Sequence, residues 1–150
     1  MISLVMDTSN SYLAVGLFKD NMCLEAFQEK GSRRQSEKAI PSLKEVLDRH
    51  HIALKDVNEM IITSGPGSYT GVRVAMTIAK TLAAVSDVRI KSVSSLAAYA
   101  GMNQALSVID ARGHKVFVGV YENGLPLIKE QVMTLEDFTQ LRAEYEHFEL

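Results

Sequence analysis

The stretch best equipped for chemistry runs from Ser64 to Val74 and reads SGPGSYTGVRV. Strand formers, Met60-Ile61-Ile62-Thr63, precede it, and a long apolar helical pattern follows it. A strand, a glycine-rich loop and a helix N-terminus in that order can hold an anion. The free N–H groups of the first helical turn and the positive end of the helix dipole both face the loop. Gly65, Gly67 and Gly71 permit backbone conformations that other residues resist and let a ligand come close, while Pro66 stiffens the loop. Thr70 is placed to cap a helix opening at Gly71. Gly65, Gly67, Ser68 and Thr70 are therefore candidate phosphate contacts; the alternative is a tight strand-to-helix turn with no ligand. The loop has neither the Lys-Ser or Lys-Thr pair of a Walker A sequence nor GxGxxG spacing.

A second candidate is Asp7 with Thr8 and Ser9, at the end of the apolar run Ile2 to Met6. A carboxylate at a strand end beside a hydroxyl-rich turn can hold magnesium or a water next to a phosphate. Equally, Asp7 and Ser9 can shape the turn through local side-chain hydrogen bonds. Lys30, Arg33 and Arg34 make the only notable basic cluster, read as a solvated loop rather than a phosphate contact. His50, His51, His114 and His147 are scattered and form no HxxxH pair, so no metal site is expected. No nucleophile–histidine pairing points to a catalytic residue.

These residues need elements to position them. Ile2–Met6, Tyr12–Phe18 and Cys23–Phe27 read as three strands joined by tight turns, an antiparallel meander. Residues 35–51 read as a helix with Ala39, Ile40, Leu43, Val46 and Leu47 on one face, starting near or kinking at Pro41 and ending at His50 and His51. The helix of residues 71–85 has three faces. Arg73, Thr77, Lys80 and Thr81 form a polar stripe; Val74, Ile78, Leu82 and Val85 form a bulky face expected to cover a sheet. Ala75, Ala79 and Ala83 form a small-residue face left over for a second partner: the helix of residues 35–51, another subunit, or both. Arg89–Val93 is a strand, and Ser94 caps a helix from Ser95 to Gly101. Strands reached through helices should lie parallel. From residue 102 the pattern restarts: strands at Leu106–Ile109, Val116–Tyr121 and Leu127–Met133, then a helix opened by Thr134, with Leu135, Phe138, Leu141, Tyr145 and Phe148 on one face. This divides the chain into a first domain, 1–101, and an incomplete second, 102–150.

Composition bounds the rest. The 150 residues are 47% hydrophobic and 23% charged, enough for a packed core. A formal net charge of -2 argues against a general nucleic-acid binder. No apolar run reaches the length of a membrane span, and Asp7 comes too early for a signal peptide. A single cysteine, Cys23, cannot form an internal disulfide and fits a reducing cytoplasm.

Five segments together resemble the TsaB family, formerly YeaZ, of bacterial threonylcarbamoyladenosine tRNA modification. They are MDTSN at Met6–Asn10, RRQSEKAIP at Arg33–Pro41, SGPGSYTGVRVA at Ser64–Ala75, VSSLAAYA at Val93–Ala100 and IDAR at Ile109–Arg112. The resemblance implies an α/β fold of the actin-like, Hsp70-like ATPase (ribonuclease H-like) type, an N-terminal domain plus a truncated second domain. Family members usually run past this chain's length, and a returning C-terminal helix has no counterpart in it. The resemblance further implies a non-catalytic scaffold that binds the catalytic TsaD subunit and, through the complex, the TsaE ATPase and tRNA. TsaD carries a metal-binding histidine pair where this chain has Gln35 and Glu37. The family pairs with TsaD, or with itself in TsaD's absence, through its first two helices. That carries over here to Ile40, Leu43 and Leu47 of the first and Val72, Ala75, Met76, Ala79 and Ala83 of the second. ATP or ADP with magnesium is a candidate ligand only in complex with partners. The rival is an actin-like-fold ATPase or kinase using Asp7 and the Gly65–Thr70 loop, although the Thr8-Ser9-Asn10 turn lacks a glycine that would let a phosphate close.

Overall fold

Two hairpin turns set the topology early. β1 (Ile2–Asp7), β2 (Tyr12–Lys19) and β3 (Met22–Lys30) form the expected antiparallel meander in the computed structural model, which describes residues 1–31 and 35–150. Arg33 and Arg34 of the basic cluster lie outside the described residues. Asp20 and Asn21 take the left-handed conformation at the β2–β3 turn, with φ of 50° and 65°, as short polar side chains tolerate. Helix α1 (Gln35–Arg49) then carries the chain back so that β4 (Glu59–Thr63) lies parallel to β1, and α2 (Tyr69–Val85) does the same for β5 (Arg89–Val93). The sheet order is β3-β2-β1-β4-β5. α1 starts ahead of Pro41 and runs through it, and it stops at Arg49 rather than at the histidines, with His51 at φ 52°.

One pleat face of this sheet, with Leu4, Met6, Leu13, Val15, Leu17, Met60 and Ile62, shares a single core with Ala39, Leu43, Val46 and Leu47 of α1 and Ala75, Ile78 and Ala79 of α2. Full burial of a leucine or isoleucine contributes about 2 kcal/mol. Both apolar faces of α2 enter the core, the bulky one through Ile78 and the small one through Ala75 and Ala79. Ala75 and Ala79 are 0% exposed and continue the buried stripe that begins at Gly71. Small side chains let the helix axis approach the strands closely. Of the bulky face, Val74 and Leu82 are half-buried and Val85 is exposed. Ala75 and Ala79 are therefore taken up by the chain's own core and cannot stand at the centre of a contact between chains. Val72, Met76 and Ala83 are half-buried.

Packing divides the described chain into two compact units. The first comprises Met1–Ser64 and Ser68–Val93, the second Gly65–Gly67 and Ser94–Leu150. The division falls at Val93 rather than after Gly101, because α3 (Ser95–Ala100) packs on the second sheet: Leu96 and Ala100 cluster with Ala105 and Tyr121. That sheet is an antiparallel meander of β6 (Ala105–Arg112), β7 (Lys115–Glu122) and β8 (Leu125–Thr134), followed by α4 (Leu135–Glu144). Thr134 caps α4 by accepting from Asp137 N, as expected. Tyr145 and Phe148 lie beyond the helix, where Arg142 Nη1 donates to both of their carbonyls at 2.7 and 2.9 Å and holds Phe148 in the core with Leu106, Val118 and Val120. Glu149 forms a parallel bridge to Ala105 on the free side of β6. A meander, then a helix, then a parallel contact back to the first strand occurs in both units, the pattern of the duplicated actin-like, ribonuclease H-like fold. No helix among the described residues is long and apolar enough to cross a membrane.

Candidate functional site

β1 and β4 are parallel neighbours, so their carboxyl ends, Asp7 and Thr63, come together at one edge of the sheet. Asp7 Oδ1 accepts from Ser9 N at 2.7 Å and from Thr63 Oγ1 at 2.6 Å, while Oδ2 accepts from Asn10 Nδ2 at 3.3 Å. Thr8 is fully buried and its hydroxyl donates to the Gly71 carbonyl at 2.6 Å. Ser9 is buried too, and its carbonyl accepts from Ser68 N at 2.6 Å. The turn after β1 is thus stitched to the end of β4 and to the first turn of α2.

Ser68, not Thr70, is the N-cap, and α2 opens at Tyr69 rather than Gly71. The Ser68 hydroxyl accepts from Gly71 N at 3.2 Å and its carbonyl from Val72 N at 2.9 Å. Gly71 serves a purpose other than ligand access. A Cβ there would lie 1.8 Å from the Thr8 carbonyl oxygen, so the close approach it permits is by the chain's own backbone. Thr70 is exposed on the first turn of α2, beside Ser36, Ile40 and Arg73. Gly65 and Gly67 pack with the second unit, where the Gly65 carbonyl accepts from Ser95 N at 2.8 Å. Asp7, Thr8, Ser9 and Ser68 are brought together in the first unit. Thr63 and Gly71 complete the group; Thr63 carried no sequence signal beyond ending a strand.

Ser94 caps α3 as expected, and it leads to two residues that escaped the sequence reading, Tyr121 and Glu130. Ser94 accepts from Leu96 N and Ala97 N, at 3.1 and 3.5 Å, and also donates toward the buried Tyr121 phenol, which in turn donates to Glu130 Oε1 at 2.6 Å. Burial and the Glu130 carboxylate push that phenol well above its ordinary range. This relay ties α3 to β7 and β8, and it gives Ser94 and Ser95 of the VSSLAAYA segment separate structural duties.

An apolar trough of about 400 Å³ lies between α1, α2 and the short 3-10 turn Leu54–Asp56 of the first unit. Leu4 reaches its floor; Leu43, Leu47, Ile78 and Leu82 form its walls; Ile40, 60% exposed, stands on its rim. Of the expected interface residues, Ile40, Leu43 and Leu47 line this trough. Among the described residues no three His, Cys, Asp or Glu side chains gather as a metal site.

A family model described as TsaD, tRNA N6-adenosine threonylcarbamoyltransferase, matches residues 28–147. The tRNA threonylcarbamoyladenosine biosynthesis protein TsaB of Bacillus subtilis (strain 168) is 32% identical over 153 residues, covering 96% of this chain and 67% of that protein. TsaB of Escherichia coli (strain K12) is 31% identical over 132 residues, covering 81% and 57%. The structure of YeaZ from Pseudomonas aeruginosa matches with a TM-score of 0.76 at 27% identity, over 89% of this chain and 67% of that one. The component A of (R)-2-hydroxyglutaryl-CoA dehydratase from Acidaminococcus fermentans shares the fold alone, with a TM-score of 0.52 at 16% identity over 99% of this chain and 55% of its own. The chain spans 57% of the Escherichia coli relative and 67% of the Bacillus subtilis one. Sequence, family model and fold agree, and the chain belongs to the TsaB (YeaZ) family of tRNA threonylcarbamoyladenosine biosynthesis proteins.

Proposed function

We propose that this chain is a non-catalytic scaffold of the bacterial assembly that forms N6-threonylcarbamoyladenosine in tRNA. It binds and supports the catalytic TsaD subunit in the cytoplasm, helps recruit the TsaE ATPase, and meets tRNA only through the complex. In TsaD's absence a second copy of the chain takes the same surface. The observation that carries this reading is the α1–α2 trough. It leaves apolar side chains of both helices open to solvent around a wedge that reaches the core, a shape suited to helix ridges from a partner. Ile40 is the test residue because it is exposed and its replacement leaves the core intact. Mixing the chain with purified TsaD and measuring the mass of the complex should give a heterodimer for wild type. Ile40→Asp should weaken it by about tenfold or more, since it buries a charge among apolar groups. Unchanged binding by Ile40→Asp would place the interface elsewhere.

The rival ATPase or kinase reading needs Asp7, Thr8, Ser9 and Ser68 to be available to magnesium and phosphate. Their principal polar groups are instead engaged with Thr63, Gly71 and each other, and the space a phosphate would need beside Gly71 holds the Thr8 carbonyl. This donor set does not fit a nucleotide's phosphates in the chain by itself. Measured ATP turnover by the purified chain that is lost in Asp7→Asn would overturn this assignment.

A further inference from the structure

The 17 residues of α2 contain no Asp or Glu, and its solvent-facing stripe carries Arg73 and Lys80. Arg73 borders the α1–α2 surface beside Ser36, Ile40 and Thr70. Its guanidinium stands 5.3 Å from the ring centre of Tyr69, itself 75% exposed. That cation–π contact pre-orders the group at the surface. Among the described residues neither Arg73 nor Lys80 has a carboxylate partner. The charges of α1 are in a different state: Lys38 pairs with Glu29, Lys44 with Asp48, and Arg49 with Glu25 and Glu45.

We propose that the Arg73–Lys80 stripe selects the partner, disfavouring a second copy of this chain and favouring a different chain whose docking helices carry carboxylates. The inference rests on the docking role assigned above to the trough. A two-fold axis between copies can lay α2 on α2 or α2 on α1. The first arrangement sets unpaired cations against cations. The second offers Arg73 and Lys80 only carboxylates such as Glu45 and Asp48, which already have partners, so new pairs form at the expense of old ones. A carboxylate-bearing partner has neither problem, and Arg73, already ordered on Tyr69, loses little freedom on pairing. Like-charge juxtaposition against the wrong partner is a common source of such discrimination.

The two associations must then respond to salt with opposite sign, because screening relieves repulsion and weakens attraction alike. Self-association, by sedimentation equilibrium, and binding to purified TsaD would be measured at about 0.05 and 0.5 M NaCl, over which the Debye length shrinks roughly threefold. For wild type, added salt should strengthen self-association about threefold and weaken TsaD binding about tenfold. In the double variant Arg73→Glu, Lys80→Glu the response of TsaD binding should reverse, whereas self-association, now anion against anion, should still strengthen with salt; in the neutral Arg73→Gln, Lys80→Gln variant both responses should largely vanish. Far-UV circular dichroism checks that these exposed replacements leave the fold unchanged. If the neutral variant keeps both wild-type salt responses and the reversed variant binds TsaD as wild type does, while Ile40→Asp abolishes association, the trough docks partners but the stripe does not select them, and the inference fails alone. If Ile40→Asp also leaves both associations intact, the docking role falls with it.

Discussion

Each unit holds a meander whose first strand carries an aspartate at or near its carboxyl end, and the two aspartates make the same local bond. Asp7 Oδ1 accepts from Ser9 N at 2.7 Å, and Asp110 Oδ1 accepts from Arg112 N at 2.8 Å. There the likeness stops. β1 is the middle strand of five, with β4 beside it and α2 packed on its end, so Asp7 also receives the Thr63 hydroxyl and the adjoining Thr8 is locked to Gly71. β6 is the outer strand of three, with only the bridge at Glu149 on its free side, and Asp110 has no such additional donor among the described bonds. A strand-end aspartate thus becomes a structural lock or a simple turn former according to what lies next to its strand. The distinction resides in tertiary contacts, although the local sequence pattern is shared.

The comparison breaks most readily at glycine. Gly71→Ala would drive a Cβ to 1.8 Å from the Thr8 carbonyl oxygen, backbone against backbone, with no flexible side chain to give way. Urea unfolding should show a loss of more than about 3 kcal/mol, or no folded protein at all. Gly113, in the turn after Asp110, has φ of 60° and open space around it, so Gly113→Ala carries only the left-handed conformational cost, about 1 kcal/mol. Equal losses at the two positions would erase the distinction between lock and turn.

The aspartates themselves come next. Asp7→Ala removes an acceptor shared by a hydroxyl and a backbone amide, and it strands the hydroxyl of buried Thr63; about 2–4 kcal/mol should be lost. Asp110→Ala removes one exposed turn bond and should cost about 0.5 kcal/mol. Thr63→Val separates the contributions: if the lock is real, the effects of Asp7→Ala and Thr63→Val should be strongly non-additive in a double-mutant cycle.

The order of strands and helices was legible in the chain because its punctuation is local. Asp20-Asn21 and Asn123-Gly124 mark hairpins, both with left-handed residues in the fold, and Ser94 and Thr134 mark helix starts. The grouping of Asp7, Thr8 and Ser9 with Ser68 also followed, from parallel strands ending at one edge. What stayed hidden depends on distance along the chain. Thr63 lies far from Asp7 in sequence, and Gly71 far from Thr8, so nothing local reveals either contact. Which stripe of α2 lies deepest is hidden as well, because periodicity shows that a stripe is apolar without showing how closely it packs. Gly71, Ala75 and Ala79 form a close-approach stripe only because Thr8 and the strands lie beneath them. The placement of α3 with the second unit depends likewise on the Ser94–Tyr121–Glu130 relay, whose members come from three elements.

The smallest expected effect sharpens the comparison at the opposite strand ends. A glutamate sits beside the first strand of each unit in parallel register: Glu59 opposite Ser3, and Glu149 opposite Ala105. Glu59 is buried; its Oε1 accepts from Ser3 Oγ at 2.8 Å, and Oε2 lies 2.6 Å from Lys91 Nζ, an ion pair by distance rather than a well-aligned hydrogen bond. Glu149 is exposed and accepts from Asn103 Nδ2 at 3.1 Å. The Lys91 ammonium and the Ser3 hydroxyl hold the Glu59 carboxyl below its ordinary value of 4.5. On acidification the unfolded chain therefore takes up this proton before the folded one does. The stabilisation from Glu59 is complete above about pH 4.5, declines as pH falls toward the folded value, and is gone below it. Glu59→Gln should cost about 1–2 kcal/mol at pH 7 and flatten the acid limb of the stability curve. Glu149→Gln should change stability at pH 7 by less than about 0.5 kcal/mol, as an exposed amide pair does. Urea midpoints measured from pH 7 to pH 3 on the three proteins decide the matter. An acid limb of unchanged slope in Glu59→Gln would show that the buried pair does not set the acid sensitivity of the first sheet.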